Sequence, residues 1–153
     1  MNSKLPGRPA IDTWARLARA YLALHGRIEA GLKAEGLPPL AWYDVLIEVH
    51  RAREAGIRQF EIGKKTLLTK YNLSRLLDRL ERENLLKRQV CAEDGRGNVV
   101  VITPEGTELL RRMWTVYGGE IHVGLEAALT PRQLATLGGL LGTLLDSLDE
   151  EIP

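Results

Sequence analysis

Apolar residues along most of this chain repeat every three or four positions, the period of a helix with one buried face. From Asp12 onward, Trp14, Leu17, Tyr21, Leu24, Ile28 and Leu32 keep that spacing and predict a long first helix. Asp12 is placed to cap its start, and Gly36 with Pro38-Pro39 closes it. Residues 1–9, with two prolines and a glycine, read as a loose arm. Leu40, Tyr43, Leu46 and Ile47 share one face of a second helix running to about Arg53, ahead of Gly56. A short helix is expected from Ile57 to about Lys65, with Phe60 in the core. Leu67-Leu68-Thr69 then turns the chain, and Thr69 caps a helix from Lys70 to about Glu83. There Leu73, Leu76, Leu77 and Leu80 occupy one quadrant, while Tyr71, Arg75, Asp78 and Arg82 point the opposite way, flanked by Ser74 and Arg79. Asn84 tolerates the left-handed backbone that ends a helix.

The period then shortens. Residues 87–92 and 98–102 read as two strands around Glu93-Asp94-Gly95-Arg96-Gly97, a β-hairpin. Thr103-Pro104 restarts helix, with threonine as cap and proline at the first helical position. This helix is expected to reach about Ala128, although Gly118, Gly119 and Gly124 each weaken it by up to ~1 kcal/mol relative to alanine. Thr130-Pro131-Arg132-Gln133 is a capping box. The last helix carries Leu134, Leu137, Leu141, Leu144 and Leu148 at an unbroken 3-4-3-4 spacing, a seam suited to another helix.

Composition narrows the class. With 153 residues, 44% hydrophobic and 27% charged, the chain is an ordinary globular protein with room for one good core. No apolar run approaches the ~18 residues of a membrane span. The N-terminus has no signal-peptide core, so a cytoplasmic protein is expected, without membrane contact. The single cysteine, Cys91, excludes an internal disulfide. His25, His50 and His122 are far apart, so no metal site is expected. The net charge of +1 conceals a basic middle. Residues 51–103 hold twelve Lys/Arg against seven Asp/Glu, whereas residues 104–153 hold three against eight. That asymmetry suits a polyanion-binding module within a larger scaffold.

Helix, short helix, turn, amphipathic helix and hairpin, in this order, make a winged helix-turn-helix. The fold class expected is therefore mainly α with a small β-hairpin wing, joined to a long-helix dimerisation domain. The expected division is 38–106 for the winged module and 1–34 with 108–153 for dimerisation. Leucines fix the fourth helix to the body and leave its other face for the DNA major groove, ~12 Å wide. Lys64, Lys65, Lys70, Arg75, Arg79 and Arg96 supply cations, with Arg82, Lys87 and Arg88 beside them; Tyr71, Asn72 and Ser74 add polar reach near the helix start. A single surface cation usually does no more than keep a helix soluble; the ordered set within a basic region points to nucleic acid. The alternative is a winged helix used for protein interaction or RNA binding. No phosphate-binding glycine loop, metal-ligand spacing or nucleophile elbow is present, so no enzyme activity and no cofactor are expected.

From Ile57 to Gly106 the sequence resembles the MarR (multiple antibiotic resistance regulator) family of bacterial transcription factors. The matching residues are Leu73-Ser74-Arg75-Leu76-Leu77-Asp78-Arg79-Leu80-Glu81, Leu85-Leu86-Lys87-Arg88, Asp94-Gly95-Arg96 and Val101-Ile102-Thr103-Pro104-Glu105-Gly106. The resemblance implies a homodimer on a near-palindromic operator, built by the first, fifth and sixth helices. It makes Arg96 the wing-tip arginine, Asp94 its partner, and Lys70 to Arg79 the DNA-reading segment. The sequence departs from the family pattern at Gly95, where the first of two adjacent basic residues usually stands. Asn84 replaces the usual helix-ending glycine, and Glu61-Ile62-Gly63-Lys64-Lys65 replaces a more leucine- and alanine-rich third helix. Some members bind phenolic or carboxylate ligands, and Trp14, Tyr21, His25, Trp42 and Tyr43 are the candidate lining here, set against their more ordinary place in a core. Cys91 falls in a wing strand rather than on the first helix, where oxidant-sensing members carry theirs, and reads as a passive thiol. Asp78 reads as a partner for Arg82 or a brace for a wing arginine.

Overall fold

The computed structural model describes residues 4–90 and 97–149. Its elements are α1 (Arg8–Ala34), α2 (Leu40–Ala52), α3 (Gln59–Lys65), α4 (Lys70–Arg82), β1 (Leu86–Val90), β2 (Asn98–Ile102), α5 (Pro104–Ile121) and α6 (Pro131–Asp149). A 3₁₀ turn, Arg53–Ala55, follows α2, and a π turn, His122–Glu126, follows α5. The chain forms two compact units, Ile28–Tyr117 and Met1–Arg27 with Gly118–Pro153. The boundaries fall inside α1 and α5 because Ile28, Leu32, Leu110 and Met113 are buried in the core of the first of these units.

That core also holds Val45, Leu46 and Val49 of α2, Ile62 of α3, and Leu73, Leu77 and Leu80 of α4. A 13-residue helix as charged as α4 is marginal alone. Burying each leucine stabilises it by about 1.5–3 kcal/mol, so packing rather than propensity holds α4 in place. Leu40 at the start of α2 follows Pro39, which offers no side-chain cap; instead its N–H donates to Glu29 Oε1 at 3.0 Å. β1 and β2 pair antiparallel in the register Leu86↔Ile102 to Val90↔Asn98.

Several sequence expectations need correction. α1 begins at Arg8, and not at Asp12: Gly7 C=O accepts from Ala10 N and Ile11 N at 3.1 and 3.2 Å. Pro9 fits there because the first helical turn has no N–H partner to lose. Asp12 instead lies one turn inside, 3.8 Å from Arg8. Ile57 is not helical. Gly56, at φ +73°, turns the chain so that Ile57 pairs with Val100 by two backbone bonds of 3.0 and 2.8 Å. Phe60 is 58% exposed, and Ile62, two residues further round α3, takes the core position instead. β1 starts one residue earlier than expected, at Leu86, and is described to Val90; Cys91 and Ala92 of the expected strand lie outside the described residues. α5 stops at Ile121, short of Ala128, where the ladder widens to Ala127 N–H donating to His122 C=O at 2.9 Å.

In the other unit, Arg27 Nε and Nη2 donate to Glu120 Oε2 at 3.1 and 3.0 Å. Gly124 lies so close to Leu24 that a Cβ would fall 2.3 Å from Leu24 Cδ2. Thr130 and Gln133 close the expected capping box at 2.9 and 3.2 Å. No described residue of α6 is buried, and Leu137, Leu144 and Leu148 stand 38%, 45% and 50% exposed.

Candidate nucleic-acid interface

Thr69 Oγ1 accepts from Asn72 N at 3.2 Å, which starts α4 at Lys70 and sets its rotation. With Leu73, Leu77 and Leu80 buried and Leu76 half-buried, helix geometry turns Tyr71, Arg75, Asp78 and Arg82 outward, and all four are exposed. Asn84 ends the helix at φ +59°, as its sequence position suggested. Lys70 and Asn72 are exposed on the first turn, and Ser74 is half-buried.

The cations of this surface have different neighbours. Arg88, on β1, donates from Nη2 to Asp78 Oδ1 at 2.8 Å and from Nη1 to Glu81 Oε1 at 3.2 Å. Its backbone N–H also reaches Glu81 Oε2 at 3.2 Å. Asp78 therefore braces a wing-strand arginine and does not pair with Arg82. Glu83 accepts from Arg79 Nε at 3.2 Å, and the Arg79 guanidinium lies 5.1 Å from the Trp42 ring centre. Lys65 is drawn to Glu48, 3.6 Å away, a nearly buried carboxylate that also accepts from Arg51 at 2.8 Å. Lys64 lies over the Phe60 ring at 5.2 Å. Arg75 Nη1 donates to Tyr71 Oη at 3.2 Å. Arg75, Arg79, Arg82, Trp42, Leu76 and Glu83 line one open groove. Arg96, Asp94 and Cys91 lie outside the described residues.

The aromatic candidates divide. Tyr21 and His25 stack obliquely at 5.6 Å, while Trp14 is 69% exposed. Trp42 and Tyr43 are buried in the core. Tyr43 packs with Trp114 and Tyr117 at 6.1 and 5.0 Å between ring centres. Burial, then the Tyr117 phenol, push the Tyr43 hydroxyl above the usual tyrosine range. Trp114 and Tyr117 were missed from sequence, although their spacing of three places them on one face of α5. Among the described residues no cluster of His, Cys, Asp and Glu is suited to a metal ion. None of their helices is long and apolar enough to cross a membrane.

A short helix, a turn, a leucine-anchored cationic helix and a two-stranded hairpin define a winged helix-turn-helix protein. Residues 35–97 match the MarR family. The HTH-type transcriptional regulator MhqR of Bacillus subtilis is 29% identical over 105 residues, spanning 69% of this chain and 70% of MhqR. Sco3205, a MarR family transcriptional regulator from Streptomyces coelicolor solved in complex with DNA, superposes with a TM-score of 0.85. That match has 24% identity and covers 96% of this chain and 92% of Sco3205. A mutant of E. coli MarR complexed with operator DNA has a TM-score of 0.76 at 25% identity, covering 90% of this chain and 96% of that one. Over residues 35–97 the chain is thus similar to the MarR family, and its winged helix-turn-helix fold is shared with solved MarR family transcriptional regulators.

Proposed function

We propose that this protein binds double-stranded DNA sequence-specifically as a homodimeric transcriptional repressor, on a near-palindromic operator. The observation that carries the reading is α4: its leucines are buried while Lys70, Tyr71, Asn72 and Arg75 stand exposed on its first turns, the end a helix-turn-helix presents to base edges. Two solved relatives, Sco3205 and the MarR mutant, were captured on DNA. The uncovered leucine face of α6 supports the dimer. Two reading helices related by a two-fold axis call for an inverted repeat with half-site centres about one turn, ~10 bp, apart.

The test is selection of bound duplexes from a random pool, followed by titration of the winner and a matched RNA at several salt concentrations. An inverted repeat bound with a steep salt dependence, and RNA bound far more weakly, is the expected result. Equal binding of RNA, or none of either, would favour the RNA-binding or protein-interaction reading. For an effector, the Tyr43, Trp114 and Tyr117 cluster, with Trp114 half-exposed, favours a small planar aromatic molecule over a simple carboxylate.

A further inference from the structure

We propose that the Tyr71 hydroxyl orients the Arg75 guanidinium for base readout, making Tyr71 a positioning residue that sets specificity at one base pair of each half-site. The inference rests on the DNA-reading role of α4 proposed above. Tyr71 and Arg75 are separated by four residues, so they lie one above the other on the exposed face of α4. Arg75 Nη1 donates to the phenol oxygen at 3.2 Å, and the guanidinium carbon lies 5.4 Å from the ring centre. The ring is 67% exposed, so packing with the core does not explain its place.

The surrounding charges show why a tyrosine suits this role. Asp78, three residues beyond Arg75, is the carboxylate nearest to it along the helix, and it is engaged by Arg88 at 2.8 Å. Glu81 is bound by the same arginine and Glu83 by Arg79. Among the described residues, Arg75 has no carboxylate at ion-pair distance. A carboxylate partner would neutralise the guanidinium and compete with guanine O6 and N7 for its protons. The phenol fixes one Nη1 donor without cancelling the charge, and leaves the Nε and Nη2 edge free for a two-pronged contact. The arginine then gives up rotamer freedom before DNA arrives rather than on binding, which favours the one base pair that meets the held edge.

The experiment measures wild type, Tyr71→Phe, Arg75→Ala and the double variant against the selected operator and all its single-base variants, at several salt concentrations. Tyr71→Phe keeps the ring and removes only the acceptor. It should reduce discrimination roughly fivefold, the worth of one hydrogen bond, at the same base pair that Arg75→Ala relaxes. The salt slope should stay as in wild type, because no charge is removed, and the double variant should discriminate no worse than Arg75→Ala. If Arg75→Ala relaxes one position but Tyr71→Phe leaves it intact, the positioning role is overturned while DNA reading stands. If Tyr71→Phe relaxes a different position, Tyr71 reads a base itself, and the positioning role is again overturned. If wild type shows no preference among duplexes, the DNA-reading role fails and this inference with it. Circular dichroism of each variant confirms that the exposed substitutions leave the fold in place.

Discussion

At Gly106 there is no room for a side chain. A Cβ there would fall 2.1 Å from the Leu85 carbonyl oxygen and 2.8 Å from Ile102 Cγ1. One turn before it, the buried Thr103 hydroxyl donates to Asn84 C=O at 2.7 Å and accepts from Gly106 N at 3.0 Å. The Thr-Pro-Glu-Gly exit from the wing thus has a separate cause at three of its residues: a hydroxyl that caps, a ring that starts the helix, and a missing Cβ that permits close approach. Because the obstacle is backbone rather than a flexible side-chain tip, Gly106→Ala should destabilise the protein by about 1–3 kcal/mol, read from urea denaturation. Unchanged stability would mean that α5 shifts freely against Leu85.

Between elements, a polar link joins α4 to β1 through Arg88, which is only 28% exposed and held by two carboxylates. Arg88→Met keeps the apolar stem and removes the charge. It should destabilise the fold by about 1 kcal/mol, with the loss shrinking at high salt, because exposed carboxylates are readily screened. Denaturation at low and high salt checks this; a loss independent of salt would assign the effect to packing. These links also show what was legible in the sequence. The helices with a strict apolar period, and the caps at Thr69, Thr103 and Thr130, were readable because their causes are local. Ile57 and Phe60 were misplaced because the pairing of Ile57 with Val100 joins residues 43 positions apart, and no local period records it. For Asp78 the sequence leaves two partners open, Arg82 one helical turn away or a wing arginine, and the one that reaches it is Arg88 on the wing strand β1. For the reading face, the exposure of Tyr71 and Arg75 followed from the leucine spacing, but their mutual bond did not.

For the whole molecule, the exposed leucines of α6 are the surface on which the proposed dimer rests. Leu137, Leu140, Leu144, Leu145 and Leu148 remain at least a third exposed, an apolar face larger than solvation favours in a lone chain. Leu144→Asp should convert the dimer to a monomer at micromolar concentration, because pairing would trap a carboxylate in an apolar seam. Light scattering gives the mass, and unchanged circular dichroism confirms the monomer's fold, since Leu144 is 45% exposed within its own chain. Operator affinity should fall steeply with it, as each half-site would be bound alone. A variant that stays dimeric would move the interface away from α6.

The Thr103 hydroxyl has a mechanical meaning as well. Its two hydrogen bonds grip the end of α4 through Asn84 and the start of α5 through Gly106, while Thr103 N–H donates to Leu85 C=O at 3.1 Å. Both strands of the hairpin start beside this clasp, and the Ile57–Val100 pairing and the Arg88 ion pairs hold them further out. A force that tilts β1 and β2 is therefore handed to the body at these holds. At Thr103 it passes into the last turn of α4 and the first turn of α5 together.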